Sequence, residues 1–436
     1  MPENITWPAD ISSYCFEVPY SDQSVLFSSA SGVRLTDTEG RTYLDGLSGV
    51  FVTCFGYGAE PITSAVAKQV QTMAFHPPLH GTNPHALELA ERLVRLAPDG
   101  IVAAKLVNGG SESVEAAIRL ARLYHHEQGR QGKVKVLSHY HGYHGATFGS
   151  LSVTGRPDVA RFGPGLPGVV HVWPPDCVEA FLGVPHERSG AAAAELIART
   201  VEAEGPDSVA ALVVEPVIHL RGMAVPPPDY LPALREVCDR YDVTLVFDEI
   251  VTGFGRTGAP FAADTFGTTP DLICVGKGIS GGYAPLAGVL IGDRIAPVLD
   301  GEAGSRAFAP SHTYAANPVS AAAGVAALDM FEQIDALGAV ARLSARMDAG
   351  LRRVLGGRGR IRGAGLLFGV TLLPPDGPDP EAGAKVAAAC LRRGLIIRGQ
   401  DDWVVMAPAF TSEDADIDEL LSVLGEAVDE VLGDAR

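Results

Sequence analysis

A chain of 436 residues, 47% apolar and 20% charged, can bury a large core and has the length of about two to three domains. Its net charge of −18 excludes nucleic acid or an anionic membrane as the main partner. A small anionic ligand stays open, because local groups would hold it.

Six cysteines (Cys15, Cys54, Cys177, Cys238, Cys274 and Cys390) are scattered without a CxxC pair, which points to reduced thiols and a cytoplasmic setting. The polar, acidic start MPENITWPAD does not read as a signal peptide. No apolar run is long enough to span a bilayer. The Ala-rich stretch Gly190–Gly205 carries charges at helical spacing and reads as a soluble helix.

Residues 1–30 read as irregular. Gly32–Gly49 reads as two short strands around a Thr-Glu-Gly turn. From about residue 60 to 330, helical patterns alternate with the apolar strands VKVLS, VAALVVEP, VTLVFDE, DLICVGK and AGVLIGD. Such alternation predicts an α/β fold, a mainly parallel sheet with helices on both faces and functional groups at the carboxyl ends of strands. Beyond residue 318 a long helical region leads to LLFGVTLL, a helix, LIIR, WVVMAP and an acidic final helix, which reads as a smaller α+β domain. The expected division is an N-terminal segment, 1–55, joining the small domain, a large domain, 56–330, and a C-terminal small domain, 331–436.

Several of these strands run into charged residues: Glu215, Asp248 and Lys277. A buried carboxylate is costly unless a cation meets it. The strand ending at Asp248 therefore predicts a cationic partner. GFGRTG (Gly253–Gly258) matches G-x-G-x-x-G, but four residues separate it from the strand and a poor helix follows. A dinucleotide site needs the glycines between strand and helix, so that reading is set aside.

Lys277 ends an apolar strand among Gly276, Gly278, Gly281 and Gly282. Glycine lets the backbone approach a ligand, and a lysine withdrawn from water loses its proton readily and can form a Schiff base. A lysine simply reaching solvent is the plainer alternative. A helical pattern starts near Ser111 after Gly109-Gly110, where free N–H groups and the helix dipole suit a phosphate. An ordinary N-cap would look the same. His139, His141 and His144 have no neighbouring Cys or carboxylate in sequence, so no metal site is expected. Their loop can instead offer an aromatic ring to a planar ligand.

Together, a phosphate cradle, an amine nucleophile, an aromatic platform and a buried acid would hold pyridoxal 5'-phosphate. The cation that meets Asp248 is then the protonated pyridine nitrogen, which makes the ring an electron sink. Ile250, two residues on, would pack on one ring face and Tyr143 on the other. Glu249 is left to a salt bridge or a helix cap.

These motifs, in this order over most of the chain, resemble the class III, or omega-type, aminotransferases, which are fold type I pyridoxal-phosphate enzymes. The phosphate-binding segment of that family resembles Gly109-Gly110-Ser111-Glu112, with glycine for its first serine. Its Tyr-His-Gly is similar to Tyr143-His144-Gly145, its Asp-Glu-Val to Asp248-Glu249-Ile250, and its Schiff-base lysine to Lys277. Its His-Thr-Tyr resembles His312-Thr313-Tyr314. The resemblance implies that Thr313 touches the phosphate of a neighbouring subunit, in a homodimer with shared sites.

For the reaction, the resemblance implies a ping-pong transfer through a Lys277 Schiff base. The amino group would move between an amine or amino acid and a 2-oxo acid or aldehyde. Lys277, Asp248 and Tyr143 would be catalytic. Gly110, Ser111, His144, Glu215, Ile250 and Thr313 would join them in binding the cofactor.

Arg398 resembles the mobile arginine that grips substrate carboxylates, and a guanidinium fork suits that task. The alternative is pairing with Asp401 or Asp402. Phe51 stands where many relatives have tryptophan and would line the substrate pocket, or else pack in the core. After Glu215-Pro216 the chain departs from the family pattern with Ile218, His219, Leu220 and Arg221. Relatives acting on ornithine or 4-aminobutyrate carry a glutamate near Leu220, so those substrates are not expected. Leu220 and Arg221 are placed on the substrate side. An aminomutase, a decarboxylating relative and a non-catalytic cofactor-binding protein are the competing readings. GFGRTG favours the transferase branch, and the full set of Lys277, Asp248, Tyr143 and Thr313 argues for catalysis.

Overall fold

The computed structural model describes residues 25–300 and 312–433, so Cys15 and the polar start lie outside the described residues. Three strands come first: β1 (Phe27–Ser31), β2 (Arg34–Asp37) and β3 (Thr42–Asp45). Asp37 builds the β2–β3 turn by accepting the Glu39 and Arg41 N–H groups on Oδ1, each at 2.9 Å. β1 corrects the irregular reading of residues 1–30. Its sequence FSSAS is exposed throughout and offers no apolar alternation to read.

The central sheet comprises β4 (Ile101–Val107), β5 (Lys135–His139), β6 (Val169–Val172), β7 (Val209–Val214), β8 (Thr244–Asp248), β9 (Leu272–Val275) and β10 (Ala287–Gly292). Its order is β4-β10-β9-β8-β7-β5-β6. The pairs from β6 through β9 are parallel, and β10 runs against both β4 and β9. The sheet is therefore mainly parallel, as expected.

Side chains alternate across it, as a pleated strand requires. In β7 and β8, Leu212, Val214, Leu245 and Phe247 pack into one core with helices Pro84–Leu96, His186–Glu204 and Tyr230–Tyr241. Ala211, Val213 and Val246 pack into the opposite core with helix Gly110–Glu127. Asp248 follows Val246 by two residues. It therefore falls on the face covered by that helix.

The remaining strands are β11 (Gly359–Ala364), β12 (Leu367–Leu372), β13 (Leu395–Ile396), β14 (Arg398–Gln400) and β15 (Trp403–Met406). β11, β12, β15 and β14 form one antiparallel sheet. β13 instead pairs in parallel with β3, closing the sheet β1-β2-β3-β13 from both ends of the chain. Helices Ala336–Leu355, Ala382–Arg392 and Asp414–Leu432 share one core with Val33, Leu44, Phe55 and Ile62. Among the described residues, no helix is long and apolar enough to cross a membrane, and the five described cysteines are free and buried.

GFGRTG is structural. Arg256 is buried, and its Nη1 donates to the Pro408 carbonyl at 2.7 Å and the Ala407 carbonyl at 3.3 Å. Its guanidinium lies 4.9 Å from the centre of the Phe410 ring. This ties the loop after β8 to the segment after β15. Arg256→Ala removes those bonds, deprives the Pro408 carbonyl of its donor, leaves Ala407 only its bond from Ser48 Oγ, and opens a void. It is expected to cost about 3 kcal/mol in chemical denaturation, and a loss below about 1 kcal/mol would contradict this role.

Candidate active site

Four parallel strands, β5, β7, β8 and β9, deliver their carboxyl ends to one side of the sheet, where such folds place ligands. A cavity of about 270 Å³ lies there, lined by Gly110, Ser111, Tyr143, His144, Gly145, Glu215, His219, Asp248, Ile250, Val251 and Lys277. The fold thus brings together Lys277, Asp248, Tyr143, Gly110, Ser111, His144, Glu215 and Ile250.

Lys277 follows β9 with φ +46 and opens a single 3-10 turn, Lys277–Ile279. Left-handed backbone is costly for a side-chain-bearing residue and concentrates at functional sites. Burial draws its amine below the ordinary lysine range, opposed by the Asp248 and Glu215 carboxylates.

Asp248 is buried. Its Oδ2 accepts from His144 Nδ1 at 2.8 Å, and its Oδ1 accepts the Ile250 N–H at 3.2 Å. Burial opposes a charge on His144, yet the hydrogen bond to Asp248 and that carboxylate's charge raise its pKa above the usual range. Glu249 is not part of the cavity. Its carboxylate accepts the Ala262 and Ala263 N–H groups at 2.5 and 2.9 Å, so it caps the short helix Ala262–Thr265. Burial pushes its pKa up to about 7.

Glu215, one residue beyond β7, accepts three hydrogen bonds. The Tyr143 N–H reaches Oε1 at 2.8 Å, and the His219 N–H and Nδ1 reach Oε2 at 3.2 and 2.5 Å. Burial alone would raise its pKa. The His219 and His144 charges and these bonds win and bring it to about 2.

Helix Gly110–Glu127 starts at the cavity. The Ser113 N–H is bonded back to the Gly109 carbonyl at 3.0 Å, and the N–H groups before it fall in the turn where a helix lacks internal acceptors. Ser111 Oγ accepts the Ala146 N–H at 3.0 Å. The loop presses so close that a Cβ on Gly145, at φ +134, would stand 2.4 Å from both Ser111 Oγ and Ser150 Oγ. A Cβ on Gly110 would meet Ile250 Cδ1 at 2.9 Å. The glycines keep this cradle open.

The remaining expected residues lie elsewhere. Ser48, Gly49, Val50 and Phe51 have φ of +51, +53, +62 and +70, a left-handed turn. Asp45 holds it by accepting the Leu47 and Gly49 N–H groups at 3.0 and 2.7 Å. The turn buries Phe51 against Leu47, Val217, Met223 and Trp403. Its ring meets the His219 ring at 5.8 Å, so it backs the cavity wall from behind.

Leu220 and Arg221 line a larger neighbouring cleft of about 1300 Å³. Arg221 is paired with Asp176, with Nη2 to Oδ2 at 2.6 Å. Arg398 is half-buried and bonds Gln400 Oε1 at 3.4 Å, with no ion pair to Asp401 or Asp402. Thr313 is exposed and outside the cavity. Among the described residues no cluster could hold a metal. His139 Nε2 bonds the Tyr230 hydroxyl at 2.5 Å instead.

His219 was not assigned to the cavity from sequence. It stood in an unusual stretch, and nothing local showed that a 3-10 turn, His219–Arg221, would fold it back onto Glu215. Val251 and Gly145 likewise carried no separate signal.

The class III aminotransferase family model matches residues 16–428. The chain is 40% identical over 408 residues to a probable aminotransferase of Mycobacterium tuberculosis, covering 90% of this chain and 87% of that one. It is 34% identical to an omega-aminotransferase of Caulobacter vibrioides, covering 93% and 94%. Among solved structures, an (S)-enantioselective omega-transaminase from Thermomicrobium roseum matches with a TM-score of 0.87 at 35% identity, over 94% of this chain and 93% of that one. An amine transaminase from an uncultivated Pseudomonas species, in its PLP-bound form, matches with a TM-score of 0.89 at 29% identity, over 99% and 98%. The chain belongs to the class III aminotransferases. It is an omega-type transaminase with the fold of the pyridoxal-phosphate-dependent enzymes.

Proposed function

We propose that the cavity holds pyridoxal 5'-phosphate and serves a ping-pong transfer of an amino group. The donor is an amine or amino acid whose amine lies away from, or without, an α-carboxylate, and the acceptor is a 2-oxo acid or aldehyde. The observation that carries this is one small cavity bounded by a lysine of lowered pKa, a buried aspartate and the start of a long helix. The residues fit the group. The glycine-kept cradle at Gly110 and Ser111 suits a phosphate, and Asp248 suits a protonated ring nitrogen. Ile250 and Tyr143 offer covers for a planar ring.

When bound, the cofactor supplies an electrophilic carbon and an electron-withdrawing ring. Lys277 Nζ, easily neutral through burial, takes and returns the proton at the substrate's amine-bearing carbon. The His144 Nδ1–H donation orients the Asp248 carboxylate, and Glu215 holds the Tyr143 backbone. Arg398 has a guanidinium free of carboxylate partners among the described residues and would bind a substrate carboxylate. Leu220 and Arg221 would shape the approach from the neighbouring cleft, and Phe51 would support the wall behind His219.

The active unit is proposed to be a homodimer in which the exposed Thr313 reaches the site of a second copy. Buried, unpaired cysteines fit a cytoplasmic setting. The division into 1–55, 56–330 and 331–436 is supported by the pairing of β3 with β13, and helix Pro318–Gln333 spans the second boundary.

The test is an absorption spectrum of the reconstituted protein. In the reverse half-reaction L-alanine or L-glutamate, the amino form of the acceptor, should remove the cofactor band, and pyruvate or 2-oxoglutarate should restore it. A band indifferent to both amino acids, with turnover that needs no oxo acid, would favour the aminomutase and overturn this reading.

A further inference from the structure

The cavity contains two carboxylate–histidine pairs. Asp248 is bonded to His144 at 2.8 Å and Glu215 to His219 at 2.5 Å. All four side chains are buried. Tyr143 stands between the pairs. His144 follows it in the chain, the Tyr143 N–H is held by Glu215 Oε1, and the Tyr143 ring meets the His219 ring edge-on at 5.9 Å. The His219 ring also meets the Phe51 ring at 5.8 Å and lines the cavity wall.

We propose that His219 is a positioning residue: by donating Nδ1–H to Glu215 it fixes the carboxylate that holds Tyr143 and keeps it from turning to other groups in the cavity. This rests on the cofactor reading above.

The argument is one of geometry and charge. Glu215 has two oxygens and two tasks. Oε1 sets where the Tyr143 backbone sits, and Oε2 is taken up twice by His219, through its backbone and its ring. Without the ring, Oε2 keeps a single longer bond at 3.2 Å. A buried carboxylate short of donors then seeks another partner in its cavity. The charged and titratable groups available around His219 are Glu215, Tyr143, Lys277, Asp248 and His144 in the cavity, and Arg221 two residues on, already paired with Asp176. Among these Glu215 already favours the proton on Lys277 and on His144, and His144 is committed to Asp248. Loss of the His219 donor turns more of the Glu215 charge on Lys277 and loosens Tyr143 together.

The experiment compares His219→Leu, which keeps bulk and removes the donor, with His219→Asn, which keeps a donor at the same branch. The protein is reconstituted with pyridoxal 5'-phosphate. Two readouts are taken: the pH titration of the band of lysine-bound cofactor, and the rate of cofactor release into a trap. His219→Leu should move the titration upward by about one pH unit and speed release about 10-fold. His219→Asn should stay within about twofold of wild type in release and well under half a unit in titration.

Unchanged readouts in His219→Leu would overturn the proposal. So would His219→Asn behaving like His219→Leu, because the ring's contacts with Tyr143 and Phe51, and not its donor, would then be the cause. Should His219→Leu fail to fold, His219→Ala replaces it with the same criteria. A wild-type protein without any cofactor band would remove the underlying reading itself, an outcome distinct from a normal band that does not shift.

Discussion

Lys277→Ala is expected to lower transamination by on the order of 10⁴-fold or more, while the protein folds and keeps affinity for the cofactor's phosphate. Nothing else in the cavity can replace it. Of the residues that line it, Lys277 alone carries an amine, and the neighbouring bases are already committed. His144 is bonded to Asp248, and His219 to Glu215. The strained φ of +46 at Lys277 argues the same way, because a purely structural residue there would gain from being glycine. Single-turnover absorbance with an amino donor is the measurement. A variant within 100-fold of wild type would show that another group moves the proton.

Asp248→Asn keeps the shape of the side chain and removes its charge. Turnover is expected to fall on the order of 10³-fold, with cofactor still bound. A buried carboxylate holds a cationic ring nitrogen, whereas a neutral amide does not. The change also removes the Asp248 charge that raises the His144 pKa, leaving Glu215 alone to oppose burial there. The half-reaction rate, followed by stopped-flow absorbance in each direction, checks this. A loss under 10-fold would show that ring charge is set elsewhere.

The central strands were legible because buried parallel strands are short and apolar throughout. VAALVV and TLVFD could be read at sight. The two strands not expected, β4 and β6, are the two edges of that sheet. IVAAKLV and VVHV carry a lysine and a histidine because an edge faces water on one side. The reversed direction of β10 left no trace in its apolar sequence. Direction depends on the connection, and the strand looks alike either way.

The cofactor side of the site was legible for a similar reason. Lys277, Asp248 and Glu215 each stand at the end of an apolar run, where charge is conspicuous. The substrate side was not. Phe51 depends on a left-handed turn held by Asp45, and His219 on a 3-10 turn, neither of which has a periodic signature. Glu249 could be read only as a cap or an ion pair until helix Ala262–Thr265 supplied the N–H groups.

The pairing of β3 with β13 has a consequence for how this protein is made. Arg41, just before β3, donates to the Arg392 carbonyl 351 residues further along the chain. At about 5–20 residues per second, a ribosome needs roughly 20–70 s to travel that distance. Throughout that interval β3 has one edge without a partner, next to the turn that carries Phe51. The sheet that backs the substrate side is therefore completed among the last parts of the nascent chain, after the strands bearing Glu215, Asp248 and Lys277 have emerged. During synthesis, that open edge is where a chaperone has the longest time to act.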